Sequence, residues 1–213
     1  MALSKADVNN INITAVASKA IRWNSAADGF ESGALGGSMV LLTTATASSS
    51  ANLTFDSSID STYDSYVFKF INIHPVTDDT IFQVNFRDGS TAYDATKTTT
   101  FFDANLGEDG SGGSLGYVTG SDLAQSTSAQ RLTRSVGNGN DESTSGELFL
   151  YSPSSTTFVK HFIATTNTYV YSNYSFNQFV AGYCNVTAAI DGVQFAMLSG
   201  NIDSGVIKMY GIT

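Results

Sequence analysis

His74 and His161 are the only histidines in the chain, so they are its only side chains whose ordinary titration lies near neutrality. Beside abundant Ser and Asp they could furnish a Ser-His-Asp nucleophile site. The pattern that would present such a serine, Gly-x-Ser-x-Gly, does not occur in a strand-turn-helix context. The plainer reading has His74, just before Pro75, bonding a turn, and His161 in or beside a sheet face. Asp103, Asn105, Glu108 and Asp109 set oxygen ligands along a Gly-bearing stretch, as a calcium loop would. The spacing fails: Gly107 takes the fifth position, Glu108 takes the sixth where glycine is needed, and no Glu closes the loop. A solvated turn is the reading favoured there, and equally for Asp78-Asp79 and Asp141-Glu142. Tyr169, Tyr171, Tyr174 and Phe176 cluster with Asn167, Asn173 and Asn177. Aromatic faces stack on the CH groups of sugar rings and amides read hydroxyls, so this is a candidate glycan surface. Subunit interfaces also favour Tyr, and interface or core is the preferred reading. Arg131 and Arg134 could meet acids of a neighbouring subunit, although solvated surface charge is the simpler expectation. Cys184 reads as a buried small hydrophobe. No residue is assigned a catalytic, cofactor or metal role, and no cofactor is expected.

The elements that must hold these residues read as strands. Phe82, Val84 and Phe86 alternate with Gln83, Asn85 and Arg87, the period of a half-buried strand. Residues 66–73 are denser in apolar side chains and read as a central strand, with Tyr66, Phe68 and Phe70 on one face and Val67, Ile71 and Ile73 on the other. Pro75 lacks a donor and ends it. The two together read as a long antiparallel pair joined by a short polar loop. Further strands are expected over 39–44, 52–55, 96–102, 114–119, 146–151, 156–165, 179–186, 192–198 and 206–212. In 192–198, Val193, Phe195 and Met197 face inward. Residues 103–113 read as an acidic loop, 120–144 as an exposed, partner-facing excursion with a short strand or helical turn near 130–136, and 169–174 as an edge. About ten strands between polar turns predict an all-β fold: an antiparallel β-sandwich, jelly-roll-like, over 36–213. Residues 1–35 differ. They hold a short candidate helix over 3–13 and isolated Ile11, Ile13, Ile21, Trp23 and Phe30; between a flexible tail and an attachment arm that orders against another subunit, these apolar residues favour the arm.

Composition narrows the function classes. Charged residues make up 14% of the sequence, below the roughly 25% of ordinary soluble domains. Ser, Thr, Asn and Gly replace them, a surface suited to close packing with partners. The net charge of −9 repels nucleic acid and anionic membranes, and no Lys/Arg cluster overrides it. One cysteine excludes an intramolecular disulfide framework and a multi-thiolate zinc site. The first residues lack the apolar stretch of a signal peptide, and no run approaches the roughly 20 apolar residues of a membrane helix. Neither nucleic-acid binding nor membrane insertion is expected.

Residues 193–212 resemble the closing hairpin of a family of virion proteins of marine tailed phages, F-x-x-x-S-G-N-I-x-x-G-x-I-x-L-Y-G-I. Phe195, Ser199, Gly200, Asn201, Ile202, Gly205, Ile207, Tyr210, Gly211 and Ile212 match, and Met209 stands where Leu is usual. Residues 63–78 resemble a second element of that family, Y-x-x-Y-x-F-x-F-x-N-I-x-P-A-T-D, with Val76 for Ala. Residues 146–155 carry a weaker third, ending in Pro153-Ser154-Ser155. Residues 21–31 are similar to the L-R-V-N-A-A-G-T-G-Y-E linker of phage appendages, with Trp23 and Asp28 as departures. The resemblance implies a non-enzymatic structural component of the virion, assembled in the host cytoplasm. It would be fibre-like or a capsid decoration, a homotrimer partnered by itself and by capsid or tail proteins. A receptor-binding tip for host surface glycan is the alternative. The glycines fit a tight turn with positive φ at Gly200, Gly205 or both.

Overall fold

The computed structural model describes residues 39–213 and, before them, the backbone at 19–23, Ala26 and 30–34. The chain divides into two units, Met1–Ser38 and Met39–Thr213. In the first, β1 (Lys19–Trp23) and β2 (Phe30–Ala34) form an antiparallel pair that sets Trp23 opposite Phe30. Ile21 thus falls on β1. Ile11, Ile13 and the helix expected over 3–13 lie outside the described residues.

The second unit is all-β, with no helix among the described residues. Its strands are β3 (Met39–Thr46), β4 (Leu53–Phe55), β5 (Ser65–Pro75), β6 (Phe82–Arg87), β7 (Lys97–Gly107), β8 (Ser114–Tyr117), β9 (Gln130–Arg131), β10 (Thr144–Tyr151), β11 (Lys160–Val170), β12 (Tyr174–Cys184), β13 (Gly192–Met197) and β14 (Ile202–Ile212). They form two antiparallel sheets, β3-β14-β5-β10-β11-β12-β7-β8 and β4-β13-β6-β9. This is the sandwich that the alternation predicts. The pairings nest: β3 with β14, β4 with β13, β6 with β9, and β5 with both β14 and β10. Two hairpins, β7–β8 and β11–β12, are inserted into this wrap and extend the larger sheet.

The core lies where the alternating faces meet. Phe195 on β13 is ringed by Phe55, Phe68, Phe70 and Phe82, at centroid distances of 6.1, 5.4, 5.1 and 5.7 Å. All five are buried, and burying each phenyl ring contributes roughly 1.5–3 kcal/mol. As expected, Val193, Phe195 and Met197 face inward.

Alternation identifies the buried face but not the neighbouring strand, and here the sequence reading needs correction. β5 and β6 are not a hairpin. They lie in opposite sheets, and Phe70 meets Phe82 across the core at 5.2 Å. For the same reason β13 and β14 are not a hairpin: the turn after Met197 carries the chain from one sheet to the other. Gly200 (φ +70°) and Gly205 (φ +121°) both take the positive φ expected of them. At Gly205 a Cβ would come within 2.6 Å of the Asn72 carbonyl oxygen. Asn72 itself has φ +49° at a register shift between β5 and β10. That bulge returns Ile73 to the core face, not to the face of Val67 and Ile71. Pro75 ends β5 but is paired there, opposite Ile202.

Three stretches expected at the surface are built in. Residues 103–107 continue β7, and Asp103 is buried against Arg134 at 3.2 Å. Arg134 therefore pairs within its own chain. In the excursion 120–144, Gln130, Leu132, Thr133 and Val136 are buried. Polarity misleads there because each polar group finds a partner. The Phe82 N–H donates to Thr133 Oγ1 (2.9 Å), and Gln130 Nε2 donates to the Ser121 carbonyl (2.9 Å). Finally, the stretch 169–174 joins β11 to β12, both interior strands, and is not an edge.

Candidate functional site

The strand registers give the sandwich two ends. Met39, Ile212 and Ser65 align at one, together with Tyr151, Lys160, Cys184 and Lys97. Ile73, Thr144, Val170, Tyr174 and Gly107 mark the other. The chain enters the sandwich at Met39. Eleven-residue strands span roughly 35 Å, so along the strands the turns 108–113 and 171–173 lie about that far from the Met39 end.

These two turns are tied together. The Glu108 N–H donates to the Asn173 carbonyl at 3.0 Å. Gly110 (φ +80°), Gly112 (φ +70°) and Asn173 (φ +62°) supply the left-handed positions that close them. A Cβ at Gly112 would also lie 2.9 Å from the Tyr174 hydroxyl, so a larger residue there would displace the tyrosine. The result is a polar cleft lined by Glu108, Asp109, Ser172, Asn173 and Tyr174. The side-chain hydroxyl and backbone N–H of Ser111 hold the Asp109 carboxyl below its ordinary range. Burial raises the Tyr169 hydroxyl, and the charge of Glu108 adds to this. Tyr169 donates to Asn173 Oδ1 at 3.2 Å.

A second cleft at the same end is lined by Asn72, His74, Asp141, Glu142 and Asp203 among others. His74 Nε2 lies 3.1 Å from the Gly139 carbonyl, the turn contact expected of it, and Nδ1 lies 3.7 Å from Asp203. His161 sits on a sheet face beside Tyr183, ring centroids 6.0 Å apart, also as expected. Among the described residues no three His, Cys, Asp or Glu side chains are grouped to hold a metal ion.

The structure separates the four aromatics that the sequence grouped. Tyr171 is exposed at the turn. Tyr169 is on the β11 face opposite the buried Thr168 and Val170. Tyr174 and Phe176 share the face of buried Gln178, where Phe176 lies under the Arg134 guanidinium at 5.3 Å. In exchange, the β7–β12 register brings the acidic stretch Glu108-Asp109 beside Tyr174 and Asn173, two stretches the sequence shows only separately. A ring, two carboxylates, an amide and a hydroxyl on one rim can stack on and hydrogen-bond a polyhydroxylated ligand.

At the end where the chain enters, the surprise is a buried row. Lys160, Cys184 and Lys97 stand opposite one another on β11, β12 and β7. Cys184 is buried, as expected, and burial pushes its thiol up to about 12. Lys97 donates to Asn85 Oδ1 (2.5 Å) and the Ala95 carbonyl (2.8 Å), and burial lowers its ammonium to about 8. Lys160 donates to the Val186 carbonyl at 2.6 Å. No pattern in the sequence flags either lysine as interior.

Comparison with family models, with curated proteins and with solved structures finds no match to this chain.

Proposed function

We propose that the chain is a non-enzymatic structural protein of a phage virion: an oligomeric appendage, fibre-like or a capsid decoration, anchored by its N-terminal segment. The observation that carries this reading is polarity. The chain enters the sandwich at one end, and the hydrogen-bonded pair of turns 108–113 and 171–173 stands at the other, one strand length or roughly 35 Å along the strands. A body held at one end and presenting turns at the other is suited to standing on a particle. The nested strand pairing supports taking the body as a jelly-roll sandwich with two inserted hairpins, an architecture that recurs in viral capsid and lectin domains. The motifs at 63–78 and 193–212 support the virion assignment by resemblance. Its partners are then further copies of itself, as a homotrimer, and proteins of the capsid or tail. The test is to add purified chain to particles that lack it. Wild-type protein is expected to bind, and the Ile21→Asp, Trp23→Asp double variant is not. Absence of the chain from purified virions overturns the proposal.

The cleft at Glu108, Asn173 and Tyr174 favours one second reading, a receptor-binding tip that grips host surface glycan. In that case Tyr171→Ala and Tyr174→Ala reduce adsorption to host cells while incorporation into particles stays unchanged.

A further inference from the structure

We propose that further copies of this chain pack against the outer face of the eight-stranded sheet, so that this face turns toward the axis of the oligomer. The inference rests on the self-assembling part of the function proposed above and adds the surface that does it.

The face follows from the registers. Tyr117, Phe102 and Phe179 stand side by side on β8, β7 and β12, with Phe102 stacked on Phe179 at 4.8 Å. Two residues along, Phe149 and Ile163 stand side by side on β10 and β11. Leu115 is 73% exposed, Leu106 53%, Ile163 48% and Phe102 41%. These side chains point away from the core, and nothing among the described residues covers them. Contiguous exposed apolar area of this kind marks an interaction surface.

Charge selects the occupant. The chain carries 19 acidic and 10 basic residues. Along the regular paired length of the eight strands, the outer face bears charged or histidine side chains only at Lys69, Glu147, His161 and Lys208. Lys69 and Glu147 pair with each other at 3.2 Å. His74 and Asp203 lie beyond, in the irregular ends of β5 and β14 beside the second cleft. At the β8 edge Tyr117 donates to the Asp122 carboxylate at 2.7 Å, which with Lys208 leaves the face without net negative charge. The acidic surplus is therefore elsewhere, and a basic partner would be drawn there. Two copies, each at −9, repel through their other surfaces but meet here without net negative charge. The composition, aromatic and β-branched side chains with Thr and Asn and almost no charge, is that of an interface core. The size suffices. Eight strands about 4.8 Å apart, with strands of up to 35 Å, offer on the order of 1,000 Å², against roughly 800 Å² per partner in a standard stable interface.

The experiment measures the mass of the full chain by light scattering across a dilution series, for wild type and for Ile163→Lys, Phe102→Lys and Leu198→Lys. Leu198 is equally exposed but borders the four-stranded sheet. Wild type and Leu198→Lys are expected to be oligomeric. The two face variants are expected to dissociate with Kd raised roughly 100-fold or more, because each places an unpaired charge in an apolar contact. Circular dichroism checks that each variant is folded. Should a variant not fold, hydroxyl-radical labelling of wild type replaces it: Tyr117, Phe102 and Ile163 must be protected at high concentration and exposed on dilution. A wild type that is monomeric at high concentration overturns this inference and the oligomeric part of the function above. A wild-type oligomer that the face variants leave intact, or unprotected face residues within it, overturns this inference alone.

Discussion

Lys97 is the sharpest test of how this core is built, because its burial has a pH signature. Its ammonium drops from 10.5 to about 8 on folding. Between those values the unfolded chain holds a proton that the folded chain has released. Stability must therefore rise with pH through this window and be lost as pH falls through 8. From pH 8 to 10 the Lys97 contribution rises by about 2 kcal/mol at 1.36 kcal/mol per unit. Cys184 works the other way. Its thiol, raised from 9 to about 12, stays protonated in the fold, so its contribution falls above pH 9. The two overlap, and wild type alone would show a blunted profile. The informative quantity is the difference between wild type and Lys97→Met, in which an unbranched side chain of similar length fills the same space and the titrating group is gone. Urea unfolding of both proteins, followed by far-UV circular dichroism at several pH values between 7 and 10, gives that difference. It is expected to shift in favour of wild type by about 2 kcal/mol between pH 8 and 10. Parallel profiles would refute the burial of Lys97 as a titrating group.

Phe195→Ala removes the ring at the centre of the two-sheet contact and is expected to cost about 3–5 kcal/mol in the same unfolding assay. Gly205→Ala forces a Cβ toward the Asn72 carbonyl at φ +121° and should cost at least about 2 kcal/mol, whereas Gly89→Ala, with positive φ but open space, costs less. Arg134→Ala leaves the Asp103 carboxylate buried without its partner and is expected to destabilise by roughly 1–3 kcal/mol, which Asp103→Asn should partly restore in the double variant.

How much of this could be read in advance depends on the kind of information each residue carries. Phe82–Arg87 and Gly192–Met197 announce themselves because alternate side chains face a core and water. The same alternation is silent on partners. A Phe-lined strand can lie beside its neighbour in a ladder or across from it in the next layer, and β5 and β6 took the second course. Gln130 and Thr133 read as exposed because polar residues usually are. Their burial depends on Ser121, Phe82 and Thr99, partners that only the folded chain assembles. Lys97 and Lys160 are hidden for the same reason, their amines reaching carbonyl groups at the ends of apolar stems. Of the cleft at the far end, Tyr174 and Asp109 were visible as candidates. Their meeting is a fact of the register between β7 and β12, which no local pattern encodes.

The inserted hairpins β7–β8 and β11–β12 supply both the far turns and four strands of the larger sheet. The nested strands β3–β6, β9, β10, β13 and β14 already make two facing sheets. The halves of the insertions nearer Met39 join their core through Phe101, Phe162, Val180 and Cys184. The far halves are supported differently. Thr144, Thr166, Thr168 and Gln178 are buried there in a hydrogen-bonded group, with Thr166 Oγ1 donating to the Leu132 carbonyl at 2.8 Å. A satisfied polar layer fixes strand positions through directed bonds where an apolar layer would tolerate sliding. The turns that carry Glu108 and Tyr171 extend from this layer and are tied by the Glu108–Asn173 hydrogen bond, while their own side chains lie outside the core. Side chains at the tips can therefore vary without changing the core, and among the described residues nothing covers the outer face of the same four strands.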